Sequence, residues 1–181
     1  GLVVATPATP QDNFSLLKAS LASGDPVIYM EHKELWGTEG PVDTSLEIPL
    51  GRANLLRQGG DITIVTWSRG VAPTLQALDL DSLKGVKADV IDLRTLWPWD
   101  QTAVFESAAR TGRLLVVHEA VQVAGFGAEV AAAAAQATGC RIARLGAPRI
   151  PVGYAQSLEN ESRLSPQKIA TAVRQLLDRP R

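Results

Sequence analysis

Apolar residues in this chain alternate between two patterns. Residues 2–5, 27–30 and 114–117 are short unbroken apolar runs, and 62–67 and 88–93 are strand-like runs of Val, Ile and Leu with Thr63, Thr66, Asp89 and Asp92 among them. Runs of that length fit strands covered on both faces. Between them, apolar positions recur at helical spacing. Thr9 is a natural N-cap, Pro10 suits a first helical position, and Asp12 lies in the first turn. Phe14, Leu17 and Leu21 then share a face, and Ser23-Gly24-Asp25-Pro26 ends the helix. Residues 71–83 repeat the helical pattern, and Trp97-Pro98-Trp99-Asp100 leads into a helix reaching Ala109. Gly125-Phe126-Gly127 opens an alanine-rich helix that Gly139 stops, and a strand at 141–145 follows. Ser165-Pro166 caps a last helix through Leu177, with Ile169, Val173, Leu176 and Leu177 as its apolar face.

Residues 33–47 interrupt this order. They hold Gly37, Gly40, Pro41 and several acids without periodicity, as a linker does. The linker separates a partial β-α-β unit at 1–32 from a larger unit at 48–181. In the larger unit, residues 52–57 and 62–67 read as a strand pair joined by the turn Gln58-Gly59-Gly60-Asp61. Strands and helices alternate afterwards. The expected fold is therefore α/β in three layers, a mostly parallel sheet with helices on both faces, preceded by the partial unit.

Composition narrows the class. Hydrophobic residues make up 45% and charged residues 20%, ordinary for a soluble globular protein. The net charge of −1 leaves no electrostatic footprint for nucleic acid or an anionic membrane surface. No apolar run approaches the roughly 20 residues that span a bilayer. Cys140 is the sole cysteine, so no internal disulfide forms, which fits a reducing compartment. The first residues do not form a signal peptide, and the sole methionine is Met30, so Gly1 is expected to be internal to a longer natural chain.

Four places could carry chemistry. His118-Glu119 stands at the carboxyl end of a parallel strand, where ligands and catalytic groups gather. The plainer reading is a hydrogen-bonded structural histidine. Glu31-His32-Lys33-Glu34 suggests acid–base work, but neighbouring strand residues point to opposite faces, so a solvated charge run is preferred. Gly125-Phe126-Gly127-Ala128-Glu129-Val130 resembles a dinucleotide loop, yet Val130 replaces the third small residue. Glycines allowing close backbone packing are the simpler account. Ser20, Ser23 and Asp25 cluster at a helix C-terminus, where carbonyls and side-chain oxygens could hold a hard monovalent cation or simply cap the helix.

Several segments together resemble one family. Val3-Val4-Ala5-Thr6-Pro7-Ala8-Thr9-Pro10 and Gly24-Asp25-Pro26-Val27-Ile28-Tyr29-Met30-Glu31-His32-Lys33 resemble the end of the pyrimidine-binding domain in beta subunits of thiamin-diphosphate-dependent 2-oxo acid dehydrogenases. Ile48-Pro49-Leu50-Gly51-Arg52-Ala53 resembles the start of their transketolase-like C-terminal domain, and Asp61-Ile62-Thr63-Ile64-Val65-Thr66 follows in order. The stretch from Val90 to Asp100, with Asp92-Leu93-Arg94-Thr95 and Trp97-Pro98-Trp99-Asp100, is the most specific match. The segment from Thr111 to Ala120 and Gly125-Phe126-Gly127-Ala128-Glu129 complete the series. Trp97-Pro98-Trp99-Asp100 and His118-Glu119-Ala120 point toward branched-chain members, with pyruvate- and acetoin-specific relatives close behind.

The resemblance implies an alpha-2-beta-2 heterotetramer with thiamin diphosphate and magnesium between subunits. The alpha subunit holds the diphosphate and metal. The beta subunit's cofactor-activating glutamate and its lipoyl-acylation histidine both lie upstream of Gly1, so no catalytic or cofactor-binding residue is carried over. A structural potassium ion is carried onto Ser20, Leu21, Ser23 and Asp25, with Ser23 where an aspartate is common. Arg149 stands where relatives have aspartate. The implied role is oxidative decarboxylation of a branched-chain 2-oxo acid or pyruvate with acyl transfer to lipoamide. This segment would serve assembly with an alpha subunit and a second beta subunit, dock the lipoyl acyltransferase core, and be inactive alone. The implied location is the bacterial cytoplasm or the mitochondrial matrix. A shortened pyrimidine unit would expose residues 2–4 and 27–30 as unpaired strand edges. Two alternatives remain: a transketolase or deoxyxylulose-phosphate synthase fragment, and a stand-alone α/β binding module.

Overall fold

The computed structural model describes residues 1–178. Strand β1 (Val3–Ala5), helix α1 (Pro10–Ala22) and strand β2 (Val27–Tyr29) form the first unit, with β1 and β2 parallel. The Thr9 hydroxyl accepts the Asp12 N–H at 3.0 Å, and Pro10 opens the helix as its ring geometry favours. The linker holds one short 3-10 turn, Lys33–Leu35, and is fastened back onto α1. Gln11 Oε1 accepts the Asp43 N–H at 2.6 Å, and the Ser15 hydroxyl donates to the Leu46 carbonyl at 2.9 Å.

The larger sheet runs β3 (Asn54–Arg57), β5 (Ala88–Asp92), β4 (Ile62–Thr66), β7 (Arg113–Val121), β8 (Arg141–Ala147), all parallel except β3. Helices cover both faces because successive strand residues point opposite ways. Ile62, Ile64, Val90, Leu115 and Val117 pack beneath α2 (Val71–Leu78) and α6 (Pro166–Leu177). Val65, Ile91, Leu114 and Val116 pack against α3 (Gln101–Thr111) and α4 (Gly127–Thr138). Each fully buried Leu or Ile contributes about 1.5–3 kcal/mol, so the two layers anchor the sheet. Ser165 and Asp100 cap α6 and α3 by accepting the N–H groups of Lys168 and Ala103.

Three expectations need correction. Residues 54–57 and 62–66 are not partners. β5 lies between them, and the turn at Gly59 instead lets its N–H reach Asp89 Oδ1 at 2.6 Å. A side chain at Gly59 would collide with the backbone of Lys87 at 2.3 Å, so the glycine serves that close approach. Residues 2–4 are not an open edge. β6 (Thr95–Trp97), a strand that the turn-like Trp-Pro-Trp stretch hid, pairs antiparallel with β1, which puts β1 at the centre of that sheet and leaves β2 and β6 as its edges. Helix α5 (Gln156–Ser162) was also unforeseen. Apart from Leu158 its sequence is polar, and none of its residues is buried, so periodicity could not announce it.

Candidate functional site

The sheet changes winding direction between β4 and β7. From β4 the chain crosses through α2 to β5, and from β5 it crosses through α3 on the opposite face to β7. Ligand sites in open α/β sheets form at the carboxyl ends of such strands. Here those ends carry Thr66-Trp67-Ser68 and His118-Glu119.

His118 is fully enclosed. The ladder between β7 and β8 slips after Val117, so the strand bulges where His118 begins. Its ring stacks on Trp67 with centroids 5.3 Å apart and an 8° tilt. Phe126 meets Trp67 edge-on, and Trp99 stands edge-on to both Phe126 and Phe105. Three glycines complete the socket. A methyl at Gly125 would lie 2.8 Å from His118 Cε1, one at Gly127 2.4 Å from Nε2, and one at Gly146 3.1 Å from Cε1. Gly125-Phe126-Gly127 thus makes room for an imidazole. Among the described residues neither ring nitrogen has a hydrogen-bond partner, against the expectation of a bonded structural histidine. Burial, with Arg144 adding to it, pushes the His118 pKa down, so the ring is neutral near pH 7.

Glu119 turns away from His118 and meets His32. Glu119 Oε2 and His32 Nε2 are 2.9 Å apart, and His32 Nδ1 accepts the Glu34 N–H at 3.2 Å. The two acid–base candidates of the sequence therefore meet through one residue of each. Glu34 extends the belt: its carboxylate pairs with Arg69 at 2.9 Å and with Arg163, which also holds Glu159 at 2.8 Å. The hydrogen bonds from Arg69 and Arg163 hold the Glu34 carboxyl below the usual carboxylate range. This belt straps the linker across the carboxyl edge of the larger sheet. A cleft of about 610 Å³ lies beside it, lined in part by Phe14, Leu17, His32, Leu35 and Trp36.

At the end of α1, the Ser20 carbonyl accepts both the Ser23 N–H at 3.4 Å and the Ser23 hydroxyl at 2.9 Å. The Asp25 N–H donates to Ser23 Oγ at 3.3 Å, and Leu21 is exposed. This is a closed C-cap, and a cation there would have to turn the Ser23 hydroxyl aside. Among the described residues there is no group of three or more His, Cys, Asp or Glu that could hold a metal ion. Arg149 is exposed in the bend after β8.

Sequence reasoning missed a buried polar seam between the units. Asp12 of α1 and Asp92 at the end of β5 are both 1% exposed, and Arg94 lies between them. Asp12 and Arg94 are 82 positions apart, so no spacing rule could connect them.

Comparison with known proteins places this geometry. The model of the transketolase C-terminal domain matches residues 51–169. The beta subunit of acetoin:2,6-dichlorophenolindophenol oxidoreductase of Cupriavidus necator is 38% identical over 98% of this chain and 54% of its own length. The 2-oxoisovalerate dehydrogenase subunit beta of Bacillus subtilis is 36% identical over 98% of this chain and 57% of its own length. The mitochondrial pyruvate dehydrogenase E1 component subunit beta-2 of Oryza sativa subsp. japonica is 33% identical over 88% of this chain and 45% of its own length. The chain thus spans about half the length of the relatives it matches. A split-gene transketolase, solved as an inactive beta4 tetramer, superposes with a TM-score of 0.84 over 97% of this chain and 58% of that one, at 24% identity, which speaks for the fold. This chain belongs to the transketolase C-terminal domain family, and its relatives are beta subunits of 2-oxo acid dehydrogenases and acetoin oxidoreductases.

Proposed function

We propose that this chain is the assembly and docking part of a 2-oxo acid dehydrogenase beta subunit, with residues 1–32 ending a pyrimidine-binding domain, 33–47 a linker and 48–181 the C-terminal domain. The observation that carries the reading is similarity across 98% of the chain to the beta subunits of two bacterial enzymes, each about twice as long. The parent reaction is decarboxylation of a 2-oxo acid, releasing carbon dioxide and passing the acyl group to lipoamide. A branched-chain acid or pyruvate is the substrate. Thiamin diphosphate, bound with magnesium between the alpha and beta subunits, supplies the electron sink for decarboxylation.

This chain's own residues support a scaffold role. The histidine at the carboxyl edge of the sheet is sealed against Trp67, and Glu119 is engaged with His32. The exposed residues Ile150, Val152, Tyr154 and Leu158 offer apolar surface for partners, which we take to be the alpha subunit, a second beta subunit and the lipoyl acyltransferase core. The same reading places a potassium ion on the carbonyls of Ser20, Leu21 and Ser23 with the Asp25 side chain. It places the protein in the bacterial cytoplasm or the mitochondrial matrix. Among the described residues no helix is long and apolar enough to cross a membrane.

The test is a pull-down from the source cells with an antibody to this chain, followed by intact mass measurement. The expected result is a parent chain well above 19.3 kDa, accompanied by an alpha subunit and a lipoyl acyltransferase. A native chain of about this mass that comes down alone overturns the reading in favour of a stand-alone binding module.

A further inference from the structure

The seam between the two units holds more negative groups than its one guanidinium can balance. Arg94 adopts a left-handed backbone with φ of 60°. That conformation turns its carbonyl toward Thr6, whose N–H and hydroxyl donate to it at 2.7 and 3.2 Å. The Arg94 guanidinium donates through Nε to Asp12 Oδ1 at 2.7 Å, and its backbone N–H donates to Asp92 Oδ1 at 3.0 Å. The other Asp12 oxygen accepts the Thr9 hydroxyl at 2.7 Å. Among the described residues Asp92 Oδ2 is buried without a hydrogen-bond partner. Asn54 on β3 and Thr66 on β4, beside Asp92 in register, are uncharged. The charges facing Asp92 are Asp12 from α1 and Arg94 from the turn that follows β5.

Two ionised carboxylates around one guanidinium would leave an uncompensated buried charge, which proteins rarely tolerate. We propose that the Asp92 carboxyl is a proton-operated latch between the units. When protonated it lets Arg94 serve Asp12 alone, and the first unit stays docked through α1 and the β1–β6 pairing. When the proton leaves, the seam loosens and the first unit swings away from the larger sheet more often.

Burial, with Asp12 adding to it, raises the Asp92 pKa to about 7. In an opened seam the side chain meets water and ionises near the ordinary value of about 3.9. Between those values the docked form holds one proton more than the open form. Opening then grows by up to roughly tenfold per pH unit from about pH 4 to about pH 7, and levels off above.

Hydrogen exchange of the intact chain tests this, with rates corrected for intrinsic exchange. The readout is protection of α1 and β1 relative to β7, compared between wild type and Asp92→Asn from pH 5 to pH 8. We expect relative protection in wild type to fall by more than about tenfold up to pH 7 and then flatten, and to stay level in Asp92→Asn. Relative protection that is independent of pH in wild type overturns the latch, as does an equal pH dependence in both proteins. If Asp92→Asn does not fold, infrared spectroscopy of wild type decides. A protonated buried carboxyl band that disappears near pH 7 supports the latch, and no such band above pH 5 overturns it.

Discussion

Arg94 Nε and Asp12 Oδ1 meet at 2.7 Å in a buried seam, joining the end of the central parallel sheet to the first turn of α1. The Arg94 side chain is 14% exposed and the Asp12 side chain 1%, so water screens this pair little. Removing the arginine would leave a buried carboxylate uncompensated. Arg94→Met is therefore expected to destabilise the chain by about 3 kcal/mol, read from urea melts at neutral pH. A loss below about 0.5 kcal/mol would mean that the seam is wetter than this geometry.

The glycine socket makes a sharper prediction. A methyl at position 127 lies 2.4 Å from His118 Nε2, too close for any real contact. Gly127→Ala should destabilise by about 1–3 kcal/mol, as overpacking does. The His118→Ala and Gly127→Ala pair should cost clearly less than the sum of the single changes, because removing the ring frees the space. Additive losses in the double-mutant cycle would show that the glycine serves backbone conformation instead.

Acid should weaken the larger unit through His118. Its pKa is lowered in the folded chain, while the unfolded chain titrates near 6.5. The unfolded state thus binds more protons between those values. The contribution is complete above about pH 6.5 and is lost as pH falls toward the folded value. His118→Phe keeps an aromatic ring against Trp67 without the proton site. The stability of this variant relative to wild type should rise from pH 7 to pH 5, and a flat difference would remove His118 as the cause.

Potassium offers a test of the α1 C-terminus. If the carbonyls of Ser20, Leu21 and Ser23 with Asp25 hold the ion, potassium chloride should raise the melting temperature above that in choline chloride at equal ionic strength, since a ligand of the native state alone stabilises it. Asp25→Ala should abolish the difference. Equal melting in both salts would reduce this segment to the helix cap formed by Ser23 on the Ser20 carbonyl.

Most elements of this fold are written locally. Thr9-Pro10 and Ser165-Pro166 cap their helices by short-range hydrogen bonds, and Gly139 ends α4 in a left-handed conformation with φ of 63°. Burial of both sheet faces follows from the unbroken apolar runs, such as residues 114–117, all buried. The elements that periodicity missed are β6, three residues long beside a proline-containing turn, and α5, which buries none of its residues.

Which elements become neighbours is decided by tertiary packing. The turn at Gly59-Gly60 fits a strand pair equally well, until β5 inserts between β3 and β4 to place Val90 and Ile91 in opposite apolar layers. The candidate site shows the same division. The types and positions of His118, Gly125 and Gly127 stand in the sequence, but only the bulge of β7 against β8 puts the ring into a socket closed by Gly146. His32 with Glu119, and Arg94 with Asp12, are joined across long separations by the docking of one unit on the other. Local patterning determines which segments are helices and strands because capping and periodicity act over a few residues. The buried ion pair and the enclosed histidine exist only when distant segments together exclude water, so the tertiary structure alone decides them.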